Sequence, residues 1–191
     1  IENLIPNVKK NGLKGGVIYY DGQFDDSRMA ISLAQTAENH GGVVLNYIEV
    51  INIIKSSENT VSGVEIKDSF SKAKYQIKSK VVINATGVFS DSIMLMDDPK
   101  SPRMIQPSQG VHVVIDKKFL NSQHAIMVPH TSDGRVLFAV PWQNYVILGT
   151  TDTKVNEAKP EPRALSDEID FIISNAGEYM ASKPLKKDIK S

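Results

Sequence analysis

Apolar residues along this chain change their period, and the changes divide it. Met29, Ala30, Leu33, Ala34 and Ala37 recur at helical spacing between Asp25-Asp26 and Gly41-Gly42. That pattern predicts an amphipathic helix over residues 27–40, capped by aspartate at its start and ended by glycine. Short β-forming runs flank it at residues 15–21 and 43–45. Residues 50–55, 61–67 and 75–78 follow, with a polar turn at 56–60, and predict an antiparallel β-meander. Val81, Val82 and Ile83 form a wholly apolar, β-branched run that leads into Asn84-Ala85-Thr86-Gly87. A run of this kind predicts a strand buried on both faces, as in a parallel sheet, followed by a turn and a helix start at Ser90-Asp91. Helix and meander ahead of such a strand indicate an α/β domain with an antiparallel excursion.

The second half differs. Residues 99–107 hold three prolines and read as a linker. Short strands are predicted at 111–115, 125–128, 136–140 and 145–148, turning at Asp133-Gly134 and Gln143-Asn144. An irregular loop covers 150–163. A last helix covers 166–180 with Leu165, Ile169, Ile172, Ile173, Ala176 and Met180 on one stripe, and Ser166 with Glu168 supports its start. Residues 1–14 read as loop, and the basic tail 183–191 reads as solvated. The expected fold class is mixed α/β: part of a Rossmann-like domain with a β-meander, plus a domain with an antiparallel sheet and helices.

Composition removes several classes of function. The chain has 191 residues, with 22 basic and 22 acidic side chains and a pI near 7.1. No basic face points to nucleic acid. No stretch approaches the roughly 20 apolar residues of a membrane span. The N-terminal residues lack a signal peptide's pattern, and no initiator methionine is present, which suggests a piece of a longer protein. With no cysteine there is no disulfide framework, thiolate chemistry or Cys-based metal site. This fits a cytosolic setting. Asn84-Ala85-Thr86 matches a glycosylation sequon, but its asparagine closes a strand expected to be buried.

Candidate chemistry concentrates in two places. The Asn84–Gly87 turn has small side chains and a glycine, so a ligand can approach its backbone, and in open α/β sheets ligands sit beyond the strand ends. The plainer reading is an ordinary strand-to-helix turn. His112 follows Gln109-Gly110-Val111, and alternation puts it on the face opposite Val111 and Val113. It is either a substrate or proton-transfer group, or a histidine with one structural hydrogen bond. Thr150-Thr151-Asp152 could bind a polyol or phosphate, or could bond its own backbone as a turn. Trp142 reads as a packing residue. Arg28 and Arg135 are candidate anion partners, although single surface arginines rarely mark a site. His40 suits a helix C-terminus, and His124 and His130 lack a third ligand, so no metal site is expected. No Gly-x-Ser-x-Gly elbow, phosphate loop or Gly-x-Gly-x-x-Gly occurs.

Several segments, in this order, resemble a known family: Asp21-Gly22-Gln23-Phe24-Asp25-Asp26-Ser27-Arg28, Val82 to Asp91, Pro107-Ser108-Gln109-Gly110-Val111-His112, Pro141-Trp142 and Leu148-Gly149-Thr150-Thr151-Asp152. The chain resembles the middle of an FAD-dependent glycerol-3-phosphate dehydrogenase, of the superfamily that includes D-amino-acid and sarcosine oxidases. The resemblance implies oxidation of glycerol 3-phosphate to dihydroxyacetone phosphate, with hydride passing to FAD and electrons then passing to a quinone or oxygen. It implies Val50, Asn84, Ala85, Thr86 and Gly87 beside FAD, and His112, Thr150, Thr151 and Asp152 near substrate, with His112 the candidate catalytic group. It implies residues 1–22 as a strand and loop of the substrate domain, 23–98 as a partial FAD-binding domain without its glycine-rich turn, and 99–191 as substrate domain. It further implies a cytoplasmic location, with peripheral membrane contact of the parent protein on that face. Val88-Phe89 replaces the family's Pro-Trp, which implies altered packing. The family's glycine-rich turn and its downstream Arg-Pro arginine are missing, so this piece is expected neither to hold FAD tightly nor to turn over substrate. The competing readings are another amine- or amino-acid-oxidising member of the superfamily and a non-catalytic binding module.

Overall fold

Every β-ladder of the protein is antiparallel. The structure, a computed structural model, describes residues 1–191, which divide into two compact units. One comprises Ile1–Ile18 with Gln106–Ser191, and the other Tyr19–Ile105.

In the unit Tyr19–Ile105, helix α1 spans Asp26–Asn39. Asp25 caps it, its carboxylate accepting from the Arg28 amide at 2.9 Å, and Gly41 ends it in the left-handed region at φ 86°. Strands β1 (Ile48–Lys55), β2 (Val61–Asp68) and β3 (Lys74–Lys78) form the expected meander. Gly63 serves a close approach: a Cβ there would lie 2.1 Å from the Ile77 carbonyl oxygen. Helix α2 (Ser90–Asp97) follows the Asn84–Gly87 turn and is tied to β1 by Lys55, whose ammonium meets Asp97 Oδ1 at 2.9 Å. The buried apolar residues of this unit are Ile53 and Ile66.

Three expected strands are not formed. Residues 15–21, 43–45 and 81–83 have no ladder partner. Val81 is 71% exposed and Ile83 84%, where the pattern predicted burial on both faces. The α1 stripe also lacks cover, with no buried residue on that helix. The physical reason is shared. An inner parallel strand takes its hydrogen bonds from neighbouring strands and its burial from helices over both faces, and no strand forms a ladder with these segments. Asn84 is exposed too, so strand burial is not what engages it. Its amide instead donates to the Ser90 carbonyl at 3.0 Å.

The other unit has a substantial core. Strands β4 (Ser108–Gln109), β5 (His112–Asp116), β6 (Ile126–Val128), β7 (Leu137–Trp142), β8 (Tyr145–Gly149) and β9 (Thr153–Lys154) are followed by helix α3 (Ser166–Tyr179). Four strands make one sheet in the order β5-β8-β7-β6. Register places Val113 opposite Leu148 and Leu148 opposite Ala139, with Ile115, Val146, Leu137 and Val128 on the same buried face. Ile172, Ile173, Ala176 and Met180 pack into that cluster. Leu165, expected on the same stripe, is exposed, because it precedes the first helical turn.

Two parts of this unit differ from the sequence reading. The loop 150–163 contains β9, which pairs with β4. A two-residue ladder leaves no periodicity to detect. The basic tail is not wholly solvated: Pro184 is buried, and the Lys190 amide and the Ser191 carbonyl bond Val114 at 2.8 Å each, extending the sheet along the free edge of β5. The N-terminal loop is also anchored, with Val8 bridged to Met180.

Candidate functional site

His112 opens β5 and pairs across the sheet with Gly149 of β8, which pairs in turn with Phe138 of β7. These three share the face away from α3, as alternation from Val113 predicts. The imidazole lies over Gly149: a Cβ at that position would be 2.3 Å from His112 Cδ2. A side chain at Gly149 would therefore displace the His112 ring from this position. His112 is exposed, and Phe138 beside it is 38% exposed. The chain leaves β8 through a cis Gly149–Thr150 peptide.

Beyond β8 the three polar residues separate in role. Thr150 and Asp152 are exposed, whereas Thr151 is 3% exposed. The Thr150 hydroxyl donates to the Thr151 carbonyl at 3.0 Å. The Thr151 hydroxyl accepts from the Val111 amide at 3.0 Å and donates to Glu168 Oε1 at 3.1 Å. Gly110 fits against this turn, since a Cβ there would meet Thr150 Oγ1 and the Thr151 carbonyl oxygen at 2.6 Å. The structure thus brings His112, Thr150, Thr151 and Asp152 to one corner of this unit.

Glu168, in the first turn of α3, is the buried charge behind that corner. Its Oε2 accepts from Gln109 Nε2 and from the Leu165 amide, each at 2.8 Å. Burial works to raise its pKa, but hydrogen bonds from Leu165, Thr153, Gln109 and Thr151 outweigh it and hold the carboxyl below its ordinary value. Sequence reasoning read Glu168 only as a helix-start signal and Gln109, Gly110 and Gly149 only as flanks. The missed signal was the pair of glycines, Gly149 just before the polar run and Gly110 two residues before His112, at points where main chains and side chains crowd.

Arg135 is committed on one side of its guanidinium, while Nη1 is buried without a hydrogen-bond partner. Its guanidinium pairs with Asp133 through Nε at 2.7 Å and stacks 4.7 Å over the Phe171 ring. Hydrogen bonding to Asp133 raises its pKa against an opposing effect of burial, and the charges of Asp152 and Glu168 add to the rise. The same pairing holds the Asp133 carboxyl down to about 2. Arg28 lies in the other unit, on exposed α1. No group of three or more His, Asp or Glu side chains is placed to hold a metal ion.

The second candidate corner, in the unit Tyr19–Ile105, is open. Asn84 Oδ1 accepts from the Thr86 hydroxyl at 2.8 Å, and the Ser90 hydroxyl donates to the Gly87 carbonyl at 2.8 Å. Gly87 sits at φ 56° with nothing within 4 Å of where a Cβ would be. Side chains therefore stabilise the turn from within and leave Ala85, Thr86 and Gly87 exposed. Such an uncovered small-residue backbone fits one flank of a flat cofactor. Val50 is half-buried on β1, opposite Ile66.

Residues 1–191 match the family model described as FAD dependent oxidoreductase. Among curated proteins, the chain is 40% identical over 197 residues to the mitochondrial glycerol-3-phosphate dehydrogenase of Schizosaccharomyces pombe, covering 98% of this chain and 30% of that protein. It is 38% identical over 181 residues to the mitochondrial glycerol-3-phosphate dehydrogenase of Homo sapiens, covering 92% of this chain and 25% of that one. The crystal structure of the glycerol-3-phosphate dehydrogenase from Bacillus halodurans complexed with FAD superposes with a TM-score of 0.93 at 32% identity, covering all of this chain and 38% of that one. L-proline dehydrogenase from P. horikoshii shares the fold, with a TM-score of 0.59 at 17% identity over 81% of this chain. The chain thus spans about a third or less of the curated relatives it matches.

Proposed function

The chain belongs to the FAD dependent oxidoreductase family, and from that premise we propose that it forms part of an FAD-dependent glycerol-3-phosphate dehydrogenase. The observation that carries this reading is the similarity to proteins of that activity over nearly the whole chain, at up to 40% identity. Residues 1–22 and 99–191 are assigned to the substrate domain and residues 23–98 to part of the FAD-binding domain.

In this reading Asn84, Ala85, Thr86, Gly87 and Val50 lie on the cofactor's side. Asn84 works indirectly, bracing the turn through Thr86 and Ser90. FAD, when bound, supplies a two-electron acceptor for the hydride that leaves C2 of glycerol 3-phosphate. The residues of this chain do the remaining work. His112 takes the proton of the C2 hydroxyl, so that the C–O bond becomes the carbonyl of dihydroxyacetone phosphate. Its exposed position at the mouth of β5 leaves the imidazole reachable by a polyol. Thr150 and Asp152, also exposed, orient the hydroxyls, while Thr151 holds the turn from behind.

With FAD bound, the final electron acceptor would be a quinone or oxygen. No helix is long and apolar enough to cross a membrane. We assign contact with a quinone-bearing membrane, if the acceptor is a quinone, to peripheral attachment of the parent protein on the cytoplasmic face. The test uses the full-length protein loaded with FAD. Glycerol 3-phosphate should bleach the flavin absorbance anaerobically, whereas sarcosine and D-alanine should not. Bleaching by either amine substrate and not by glycerol 3-phosphate would move the protein to another branch of the superfamily. His112→Ala should lower turnover at least about tenfold, the lower end of acid–base contributions.

A further inference from the structure

We propose that Glu168, which touches neither substrate nor cofactor in the reading above, is the positioning residue that sets where the His112 imidazole stands. This rests on that reading for its link to turnover, but the geometry stands without it.

His112 is held from two sides. Ahead of it in the chain is Gly110-Val111, and beside it is Gly149, the residue whose missing side chain makes room for the ring. Both segments converge on Thr151. The Val111 amide donates to the Thr151 hydroxyl, and Thr151 stands two residues beyond Gly149. A threonine hydroxyl has one proton to donate, and this one goes to Glu168 Oε1. Glu168 therefore decides which way the hydroxyl points, and so whether its lone pair faces the Val111 amide. The other carboxylate oxygen takes Gln109 Nε2, one residue before Gly110, and the Leu165 amide at the mouth of α3. One buried carboxylate thus fastens the strand entering the site, the turn leaving it and the helix behind it.

Only an ionised carboxylate accepts all of these bonds. A glutamine in its place presents an N–H₂ group to donors on one side, leaving two donors facing each other or one buried donor unpaired. With the N–H₂ group on that side, the Thr151 proton loses its buried acceptor and its oxygen shares its lone pairs between two donors, which loosens its hold on the Val111 amide and lets the main chain on either side of His112 shift. A misplacement of about 1 Å at a reacting group is enough to slow chemistry by roughly a hundredfold.

The test uses the full-length, FAD-loaded protein and two measurements. In the first, flavin reduction by glycerol 3-phosphate is followed for wild type, Glu168→Gln, His112→Ala and the double variant. Glu168→Gln should lose at least about tenfold in the reduction rate, and the double variant should lose little beyond His112→Ala, as expected for residues acting as one unit. Losses that multiply would overturn the proposal, because Glu168 would then act independently of His112. In the second, carbethoxylation by diethyl pyrocarbonate is mapped by mass spectrometry. His112 should react faster in Glu168→Gln, with His40, in the other unit, unchanged as the internal reference. An unaltered His112 rate would also overturn it.

Thr151→Val and Thr151→Ser keep the test open if Glu168→Gln does not fold. Valine should reproduce the His112 labelling change and serine should not; equal behaviour of the two counts against the relay. If wild type fails to reduce its flavin with glycerol 3-phosphate, the dehydrogenase reading falls. The labelling result still decides the role of Glu168.

Discussion

Two glycines show at residue scale how closely the His112 corner is fitted. A methyl at Gly149 would enter the His112 ring, and one at Gly110 would meet Thr150 Oγ1 and the Thr151 carbonyl oxygen. Gly110→Ala, which would crowd the Thr151 carbonyl, should destabilise the unit by about 1–3 kcal/mol, the usual cost of overpacking, as measured by denaturant midpoint, whereas Gly149→Ala should chiefly displace the exposed His112 ring. Gly87→Ala should instead cost little in packing, since the space around it is open, and only the left-handed φ opposes it. Residue scale also carries a pH prediction. The Asp133 carboxyl sits at about 2 in the folded chain, against an ordinary value of 3.8, mainly through its hydrogen bond to Arg135. A depressed acid contributes stability that is complete above the unfolded value and is lost as pH falls through the folded one. The contribution of Asp133 should therefore fade between about pH 4 and pH 2. The acid-denaturation curves of wild type and Asp133→Asn should converge in that window; curves that stay parallel down to pH 2 would contradict the assignment.

At the scale of elements, the two long helices stand in contrast. α3 places Ile172 and Ala176 in the core and its first-turn carboxylate behind the site. Ile172→Ala should cost about 2–5 kcal/mol by thermal or denaturant unfolding, because a fully buried side chain leaves a cavity. α1 has a better N-cap but buries nothing. Its stability therefore rests on local terms, and Asp25→Ala, which removes the bond to the Arg28 amide, should cost about 1 kcal/mol and visibly reduce helicity of that segment. Both helices were legible from periodicity and caps, as were the meander and the four-stranded sheet. The periodic stripe of α1 predicted a buried face that this chain does not cover. A sequence pattern records which face is meant to be buried, not whether the covering element belongs to the same stretch of chain.

For the whole molecule, the uneven distribution of core has a measurable consequence. The unit Ile1–Ile18 with Gln106–Ser191 owns a continuous apolar cluster, whereas the other owns Ile53 and Ile66. In the 191-residue chain, amide hydrogen exchange should be slow in β5, β7 and β8 and fast at Val43–Leu45 and Val81–Ile83, which belong to no β-ladder. Protection of Val81–Ile83 in the isolated chain would show a pairing that this structure does not contain. The same chain should leave a desalting column without flavin absorbance, since the open Asn84–Gly87 corner offers one flank of a cofactor site and the sequence holds no Gly-x-Gly-x-x-Gly to cradle a pyrophosphate.

By itself the sequence determined the elements with a long period and the family resemblance, because helical stripes, alternating strands, caps and ordered motifs are local properties of neighbouring residues. It also named His112 and the Thr150–Asp152 run as candidates, which the fold brings to one corner of a unit. Only the tertiary structure decided that Thr151 turns inward, that β9 folds back on β4, and that one buried carboxylate on α3 joins them. Those bonds span residues 109 to 168, and no local period encodes a partner that far away. Tertiary structure likewise decided that Val81–Ile83 stands bare, since strand pairing depends on neighbours and not on how strand-like a segment is.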